Sequence, residues 1–405
     1  MNPAETYPIV LGWGAELVAP GVYFSDLGGS SGEIFDIAPF SSSDVVATAS
    51  IDGTMTKPVG IGMSVAGAQL TDLSAIQVET GRTLYLANAN VNGSSANHYA
   101  ALTIAAGGSL TLGQDESATT TGTVYIGNAL NQAASDGWIG ILCESDSQAM
   151  TGCTVNDATL AVSSVVFQGQ EGYDIDVDDL ASISLTSSPV IGIAPPGAGF
   201  GKCGTTKPDG SGMGLGSGEA VLLNGLSIMT FDNGVVQCIG ANGFELTSSP
   251  NGSPTLTLDK TIIQNTETAI DASAGTAAIS RSTIQFNYNG VVQGGMATID
   301  LSGGKIGGTN NVVCSSMKES VDALALNPGV CVLNQSSSAI NASNVDWDTS
   351  GPDLFSCGAL TSSSCSCEIM TCTDSPGADG MDAVYQDLGT ITTTNNALSA
   401  ITCSG

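Results

Sequence analysis

Three consecutive stretches of the chain decide its fold: LTLDKTIIQNTETAID (256–271), AAISRSTIQFNYNGVV (277–292) and TIDLSGGKIGGTNNVV (298–313). When they are aligned, apolar residues recur at three landmarks that lie 21 or 22 residues apart. The landmarks are Leu258, Ile279 and Leu301, then Ile263, Ile284 and Ile306, then Ile270, Val291 and Val312. Asn, Gly or Gln between the second and third landmarks suits a tight bend. A repeat of this length with short strands is typical of one coil of a parallel β-helix.

Earlier parts of the chain carry less regular copies of the same pattern. These copies are LLNGLSIMTFDNGVV (222–236), with Ile228 seven residues before Val235; LAVSSVVFQGQEGYDIDV (160–177), with Val166 seven residues before Tyr173; and the weaker ALTIAAGGSLTLG (101–113). One coil cannot bury its own apolar side chains, so stacked coils share a core and each strand pairs with its counterpart one coil away. Signatures of leucine-rich repeats and left-handed hexapeptide helices are missing. We therefore predict a right-handed helix of roughly fifteen coils, about 70 Å long.

The predicted fold class is all-β: a right-handed parallel β-helix solenoid with capped ends. We expect an N-terminal cap and first coils over residues 1–40, and β-helix coils over 41–317. The segment 194–218, rich in glycine and proline, is expected to leave the solenoid as an excursion loop. A disulfide-rich segment, 318–405, is expected to cap the C-terminal end. Caps are needed because open solenoid ends expose unpaired strand edges.

The charge balance limits the classes of partner. The 405 residues include 38 acidic and 8 basic ones, for a formal net charge of −30. This balance excludes a basic nucleic-acid footprint and disfavours an anionic membrane surface. No apolar run is long enough for a membrane span. The partners that remain are a protein, a second copy of the chain or a neutral polysaccharide.

Cysteine usage points to an oxidising compartment. The chain has eleven cysteines and a single histidine, His98, so zinc ligand sets and haem attachment are not supported. Disulfides are the better interpretation. We expect local pairs Cys143–Cys153 and Cys314–Cys331, and a Cys203–Cys238 bond that pins the excursion loop. The first residues lack the basic start and apolar core of a signal peptide. We expect an extracellular or cell-surface protein whose export signal is not part of this sequence.

The densest cluster of carboxylates is EGYDIDVDDL (171–180). Alternation along a strand sends Ile175 and Val177 inward and Asp174, Asp176 and Asp178 outward. Side chains two apart on a strand lie roughly 7 Å apart, so calcium would need further oxygens from the next coil. A solvated acidic face is one interpretation, and catalytic carboxylates are another. The metal site that the sequence allows is calcium at Asp174, Asp176, Asp178 and Asp179, with no catalytic or cofactor-binding residue predicted.

Other features carry weaker hypotheses. His98 has no nucleophile motif beside it and is expected in a loop. GFGKCGT (199–205) lacks the spacing of a phosphate-binding loop, although the 194–218 excursion suits partner binding. The Thr-rich segments 118–124 and 390–396 suggest an ice-binding face, but Thr, Ser and Asn fall irregularly in the aligned repeats. We therefore do not expect a regular hydroxyl array.

The two ends of the chain carry a resemblance. ELVAPGVYFSDLGGSSGEIFDI (16–37), NASNVDWDTSGPDLFSCG (341–358) and GADGMDAVYQDLGTITTTNNAL (377–398) resemble bacterial secreted right-handed β-helix proteins of the pectin-lyase-like superfamily, in an uncharacterised branch of surface proteins. The resemblance implies the β-helix fold and a surface location. The motifs of polygalacturonases are missing for the most part, and Arg82 and Arg281 have no Asp cluster near them in sequence. Arg281 shares a coil position with Lys260.

These observations lead to a functional expectation. We expect a non-enzymatic secreted or cell-surface protein that acts as a rigid spacer, an adhesin or a component of an extracellular assembly. Two alternatives stay open: a carbohydrate-active β-helix enzyme, such as a polysaccharide lyase or hydrolase, and a calcium-dependent binding module. An enzyme requires carboxylates from adjacent coils that converge in one cleft with perturbed pKa values.

Overall fold

The structure is a computed structural model, and it describes part of the chain. The described residues are 9–11, 24–25, 35–37, 48–52, 64–65, 68–71, 76–78, 80–81, 83–87, 89–91, 100–114, 118, 121–126, 139–160, 162–167, 173–192, 219–285, 287, 289–303, 310–313, 332–346, 353–356, 383–386 and 391–392. These residues form strands, tight turns and short connections. No helix that could cross a membrane is present among them.

Short strands follow one another along the whole described chain. In chain order they are β1 (Ile9–Leu11), β2 (Phe24–Ser25), β3 (Phe35–Ile37), β4 (Thr48–Asp52), β5 (Ser64–Val65), β6 (Ala68–Thr71), β7 (Ile76–Val78), β8 (Thr83–Ala87), β9 (Ala89–Val91), β10 (Ala100–Ile104), β11 (Ser109–Leu112), β12 (Val124–Ile126), β13 (Ile139–Cys143), β14 (Ser145–Asp146), β15 (Thr151–Gly152), β16 (Thr154–Asp157), β17 (Val165–Phe167), β18 (Ile175–Val177), β19 (Ser182–Leu185), β20 (Val190–Ile191), β21 (Val221–Asn224), β22 (Ile228–Asp232), β23 (Val235–Gln237), β24 (Asn242–Thr247), β25 (Thr255–Asp259), β26 (Ile262–Gln264), β27 (Thr268–Ala272), β28 (Thr276–Ser280), β29 (Thr283–Gln285), β30 (Asn289–Gln293), β31 (Thr298–Asp300), β32 (Asn310–Val313), β33 (Val332–Asn334), β34 (Ile340–Asn341), β35 (Val345–Asp346), β36 (Asp353–Ser356), β37 (Ala383–Gln386) and β38 (Ile391–Thr392).

Three long sheets run side by side and form the walls of a solenoid. The 13-stranded sheet has the order β1-β3-β7-β10-β13-β18-β21-β24-β27-β30-β33-β37-β36, the 11-stranded sheet β38-β34-β31-β28-β25-β22-β19-β16-β11-β8-β4, and the 12-stranded sheet β2-β6-β5-β9-β12-β17-β20-β23-β26-β29-β32-β35. From β7 to β35, apart from the inserted hairpin β14–β15, the chain visits them in that rotation, as β24, β25 and β26 illustrate, and β27 returns to the first sheet. Strand pairing within the sheets is parallel except around β5. The predicted right-handed parallel β-helix is confirmed.

The part of the chain that the structure describes forms fewer coils than the sequence suggested. The sheets contain 13, 11 and 12 strands, so the described residues build 11 to 13 coils rather than roughly fifteen. At the usual strand spacing this stack is roughly 50 to 60 Å tall. Individual coils are longer than the repeat, because long segments separate β12 from β13 and β20 from β21. Strands β1, β3, β36 and β37 also join the 13-stranded sheet, and the boundaries proposed for the two caps stay a prediction.

One continuous apolar core fills the solenoid because inward positions alternate with outward ones. In β25 the side chains of Leu256 and Leu258 are fully buried while Thr255 is exposed, and β28 repeats this pattern. Phe167, Phe231 and Phe244 are the largest fully buried side chains among the described residues. The rings of Phe231 and Phe244 meet edge to face at 5.6 Å, a favoured aromatic geometry that links two sheets.

The register confirms most of the predicted alignment of the last coils. Leu258 pairs with Ile279, Ile263 with Ile284, and Ile270 with Val291.

The third coil departs from the predicted alignment. Val312 pairs with Ile284 in the 12-stranded sheet, so it does not continue the column of Ile270 and Val291, which continues at Val332. The cause is a longer segment between β31 and β32, which delays the next strand and shifts every landmark after it. Ile306 lies outside the described residues.

The two earlier copies were aligned out of register, by one and two residues in the 160–177 copy and by eight and nine residues in the 222–236 copy. Column by column, the counterparts of Ile263 are Val236, Ile191 and Phe167, and those of Ile270 are Phe244, Val221 and Ile175. The proposed landmarks Ile228, Val235, Val166 and Tyr173 face outward instead and are exposed or half-buried. Neighbouring positions in these strands are both apolar, so spacing alone does not identify the inward one.

Corners between the 11- and 12-stranded sheets turn sharply through a left-handed residue. Asn233, Lys260 and Arg281 occupy this position in three successive coils with φ of 55°, 51° and 49°. Two residues of connection suffice between β25 and β26, and between β28 and β29. The shared coil position of Lys260 and Arg281 is therefore confirmed.

A disulfide closes the hairpin β14–β15, which interrupts one coil. Cys143 and Cys153 are bonded, with Cα atoms 5.5 Å apart, as the sequence predicted. Cys238 is also disulfide-bonded, but Cys203 lies outside the described residues and that pairing stays a prediction, as does Cys314–Cys331.

We expect Phe231→Ala to lower the free energy of unfolding by about 3–5 kcal/mol, because it removes a fully buried ring and its contact with Phe244. Ile228→Ala, on the outward side of the same strand, is the matched control and is expected to change it by less than about 1 kcal/mol. Urea unfolding followed by circular dichroism measures both. Equal effects would contradict the inward and outward assignment of β22.

Candidate functional site on the carboxylate face

Carboxyl side chains from several coils share the outer side of the 13-stranded sheet. Register places Asp176, Leu222, Glu245 and Asp271 in one column of neighbouring strands. Tyr173, Glu219 and Asn242 form a second column where these strands begin. Glu144 stands beside Asp178 where β13 and β18 end. We call this surface, with Glu144, Asp176, Asp178, Glu219, Glu245 and Asp271, the carboxylate face.

The centre of the carboxylate face is a hydrogen-bonded pair of acids. Burial, the hydrogen bond with Glu219 and its charge together raise the pKa of Glu245 to about 7, although Asn242 opposes the shift through a hydrogen bond. Burial and then the hydrogen bond to Glu219 also raise the pKa of the Tyr173 hydroxyl. The Glu245 carboxyl therefore resists ionisation near neutral pH. Burial followed by the nearby charge of Glu245 raises the pKa of Asp271 as well.

The other end of the face holds three mutually repelling carboxyls. Burial, and then the charge of Asp178, raises the pKa of Asp176 to about 6. The same two causes raise the pKa of Glu144. The pKa of Asp178 is raised by burial and by Asp179. Each of these groups resists ionisation, because partial burial and the like charges of neighbouring carboxylates both disfavour the ionised form.

Asp174 does not face outward as predicted. Its side chain is 2 % exposed, and burial raises the pKa of this carboxyl well above its usual range. The equivalent positions in the neighbouring coils are all small: Gly140, Ala220, Gly243, Ala269 and Gly290. The regular strand begins only at Ile175, so alternation does not apply at 174, where the chain turns the corner. Its Oδ1 has no hydrogen-bond partner.

Asp179 has a structural role in the coil stack. Its carboxylate accepts hydrogen bonds from the Leu226 backbone N–H at 2.6 Å, from the Ser249 hydroxyl at 2.8 Å and from the Asn251 amide at 2.6 Å. Burial on its own would raise the pKa of Asp179, but these bonds hold it below its usual value. One side chain thus joins turns of three successive coils. At Gly225, in the middle turn, a Cβ would collide with this carboxylate.

The structure does not bring the four predicted calcium ligands together in one site. Asp174 is buried, Asp179 is committed to turns, and Asp176 and Asp178 lie on the carboxylate face. Within the described part of the chain, no group of three or more His, Cys, Asp or Glu is arranged to hold a metal ion. Calcium at these residues stays a prediction. Glu144, Glu219, Glu245 and Asp271 were missed, because they meet through register rather than through sequence proximity.

A charged corner lies between the 11- and 12-stranded sheets. Asp232 and Asp259 are register partners in β22 and β25. The guanidinium of Arg281 forms a salt bridge with Asp259, including a 2.7 Å hydrogen bond from Nε, and Ser280 donates a further bond. Burial and the charge of Asp259 raise the pKa of Asp232, although Arg281 and Lys260 oppose this. No Asp cluster lies near Arg281 in sequence, but the fold brings Asp259 and Asp232 beside it.

The outer side of the 12-stranded sheet is largely uncharged. Tyr125, Val166, Val190, Val235 and Ile262 form one column of consecutive coils, each at least partly exposed. Beside it, the amide of Gln264 donates to Gln237 at 3.1 Å, and Gln237 donates to the Gly192 carbonyl at 3.4 Å. A strip of apolar and amide side chains therefore runs along the solenoid.

The outer side of the 11-stranded sheet carries two columns dominated by hydroxyl groups. From β8 to β31 the first column reads Thr83, Ser109, Thr154, Ser182, Ile228, Thr255, Thr276 and Thr298, and the second reads Tyr85, Thr111, Asn156, Ser184, Thr230, Thr257, Ala278 and Asp300. All are exposed or half-buried. We call these two columns the hydroxyl face. The residue types vary from coil to coil, as the sequence predicted, and Thr occupies both columns only in β25, but the outward positions of successive strands align in register.

Several predicted features cannot be placed. His98, residues 194–218 and the Thr-rich segment 393–396 lie outside the described residues. Comparison with known proteins finds no family model, no curated protein and no solved structure that matches this chain significantly.

We expect Asp179→Ala to lower the free energy of unfolding by about 2–4 kcal/mol, because three donors in two adjacent turns lose their acceptor. Asp178→Ala, its exposed neighbour, is the control and is expected to stay within about 0.5 kcal/mol of the parent. Urea unfolding measures both. A mild effect of Asp179→Ala would show that water replaces the lost acceptor.

Stability is expected to fall as pH rises from about 4 to about 7. Asp174, Asp176 and Glu245 have raised pKa values in the folded chain, so in this window the folded state binds more protons than the unfolded state. Asp179 and Asp259, whose pKa values are lowered, act in the opposite direction below about pH 4. Thermal unfolding between pH 3 and 8 should therefore show maximal stability near pH 4.

The variant Asp174→Ala isolates the contribution of the buried Asp174 carboxyl to the pH dependence of stability. This variant restores the small residue found in neighbouring coils, and we expect it to raise the free energy of unfolding at pH 7 by about 1–3 kcal/mol. It should also weaken the fall between pH 4 and 7. Destabilisation at pH 7 would show instead that the Asp174 carboxyl has a favourable partner.

Proposed function

We propose that this chain is a non-enzymatic, rigid scaffold that works outside the cell or at its surface, as a spacer, an adhesin or a component of an extracellular assembly. The observation that carries the proposal is the segregation of side-chain chemistry. Carboxyl groups line the 13-stranded sheet, hydroxyls the 11-stranded sheet, and apolar and amide groups the 12-stranded sheet. Long, chemically uniform strips on a stiff core suit extended partners better than a small-molecule substrate.

Two further observations support this location and class. The bonded pair Cys143–Cys153 and the disulfide at Cys238 suit an oxidising compartment. The resemblance of residues 16–37 and 341–358 to secreted pectin-lyase-like β-helix proteins points to the same compartment, within an uncharacterised surface-protein branch. The apolar column from Tyr125 to Ile262 offers a contact strip for a protein partner or a second copy of the chain, and a neutral polysaccharide is the alternative partner.

The central carboxyl pair does not favour glycoside hydrolysis. Hydrolases hold two carboxyls roughly 5 to 9.5 Å apart, so that the scissile bond lies between them. Glu219 and Glu245 instead form a hydrogen bond with each other. Asp259 is likewise engaged by Arg281 and Ser280.

One observation does favour a second candidate, a carbohydrate-active enzyme. At the charged corner, Asp232 and Asp259 lie beside Lys260 and Arg281, and Oδ1 of Asp232 is buried without a hydrogen-bond partner. In such an enzyme, Lys260 and Arg281 would bind a sugar carboxylate, and the Asp232 carboxylate would accept the proton from the neighbouring carbon.

The test combines binding with turnover. Beads that carry the full chain are passed over surfaces coated with the same chain or with neutral or acidic polysaccharides, with and without calcium. The same polysaccharides in solution are assayed for new chain ends and unsaturated products. We expect bead retention without product, and loss of retention on the coated chain for Val235→Asp, with the buried-face control Asp174→Ala unaffected. If the parent chain forms product and the Arg281→Ala variant does not, the proposal would be overturned and the chain would be a carbohydrate-active enzyme.

A further inference from the structure

The hydroxyl face has a two-dimensional repeat. Successive coils place equivalent side chains about 4.8 Å apart along the solenoid, and the two columns are separated by two residues along each strand, roughly 7 Å. Within the first column from β8 to β31, each residue is Thr or Ser except Ile228. The hydroxyls are close enough to interact, since Thr276 donates to Thr255 at 3.4 Å.

The array is held rigidly by the core beneath it. Between the two columns, each strand turns one side chain inward: Leu84, Leu110, Val155, Ile183, Met229, Leu256, Ala277 and Ile299, none more than 2 % exposed. Parallel pairing holds the backbone of every strand on both sides. A surface that is ordered before it binds loses little conformational entropy on binding.

The two columns of the hydroxyl face carry little charge, although Asp232 and Asp259 of the charged corner follow the second column in β22 and β25. The chain has a formal net charge of −30, yet the hydroxyl face from β8 to β28 has no ionisable carboxylate or cation in either column, and Asp300 appears only in β31. The carboxylate face lies on a different sheet. An uncharged, hydrogen-bonding array fits an uncharged partner that repeats at the same intervals.

The composition of the array points to ordered water rather than to sugar. Carbohydrate platforms stack sugar rings on aromatic side chains, and the array contains only Tyr85. Thr combines a hydroxyl that both donates and accepts with a methyl group that excludes disordered water. Oxygen atoms in hexagonal ice repeat at closely similar intervals in two perpendicular directions of one crystal plane.

We propose that the hydroxyl face of the 11-stranded sheet binds ice crystals. This inference rests on the proposed function as a rigid non-enzymatic scaffold and names the ligand of one of its faces. The hydroxyls and methyl groups of this face would continue the oxygen lattice of the crystal. The charged carboxylate face, on another sheet, would stay in contact with liquid water. Ile228 is the one apolar interruption of the first column and lies near its middle.

The test measures incorporation of the full chain into a slowly growing ice hemisphere, together with thermal hysteresis. Thr255→Tyr and Thr257→Tyr place bulk in the centre of the array and are each expected to reduce incorporation roughly three- to ten-fold, the equivalent of about one or two lost hydrogen bonds. Ile228→Thr completes the column and is expected to increase it. Thr283→Tyr, which is outward on the 12-stranded sheet, is the matched control and should be unchanged.

Thermal unfolding verifies that each variant is folded before its affinity is compared. Incorporation no greater than that of an acidic protein of similar size would overturn the inference, as would equal losses in Thr283→Tyr. Binding to crystalline cellulose or chitin that Thr257→Tyr abolishes, without ice binding, would also overturn it and assign the face to a polysaccharide. Failure on ice leaves the scaffold proposal standing, because that proposal is decided by retention and turnover.

Discussion

In-register pairing between successive coils is the constraint on which the rest of this structure depends. Each strand forms its ladder with the strand one coil away, so a residue's lateral neighbours are its counterparts in the coils above and below. Inward positions merge into one apolar core, and outward positions merge into columns. The carboxylate face, the apolar strip and the hydroxyl face all result from this in-register stacking of outward positions. None of them exists in a single coil.

The sequence predicted the fold because the apolar repeat is strong where coils are short. Around Leu258 and Ile279, corners of two or three residues keep the period near 21, so the apolar spacing in the sequence matches the true register. The alignment failed at Val312, where an extended corner moves an apolar residue onto another sheet. It also failed at Val166, where adjacent apolar residues compete for the interior, and at Ile228, which lies in the 11-stranded sheet and not in the 12-stranded sheet of its proposed counterpart Ile263. The register depends on the number of residues in each corner between two strands, and the composition of the sequence does not reveal that number.

The candidate site was only partly predictable for the same reason. EGYDIDVDDL (171–180) is the densest run of carboxylates in the sequence, yet two of its acids are not part of the outer face. Asp174 is buried at a corner where neighbouring coils have small residues, and Asp179 joins three turns through hydrogen bonds. The residues that complete the carboxylate face, Glu219 and Glu245, come from later coils. A correct register, once known, would have shown both them and the hydroxyl columns from the sequence alone.

The ladder also has a mechanical side. In a β-helix the backbone hydrogen bonds run along the long axis, so tension applied between the two ends pulls directly on the bonds between one coil and the next. These bonds open one coil at a time rather than together in shear. A coil such as the one between Leu258 and Ile279 holds 21 residues and releases about 70 Å of slack when it detaches. The solenoid therefore lengthens stepwise under load, and behaves as an extensible tether instead of a brittle rod.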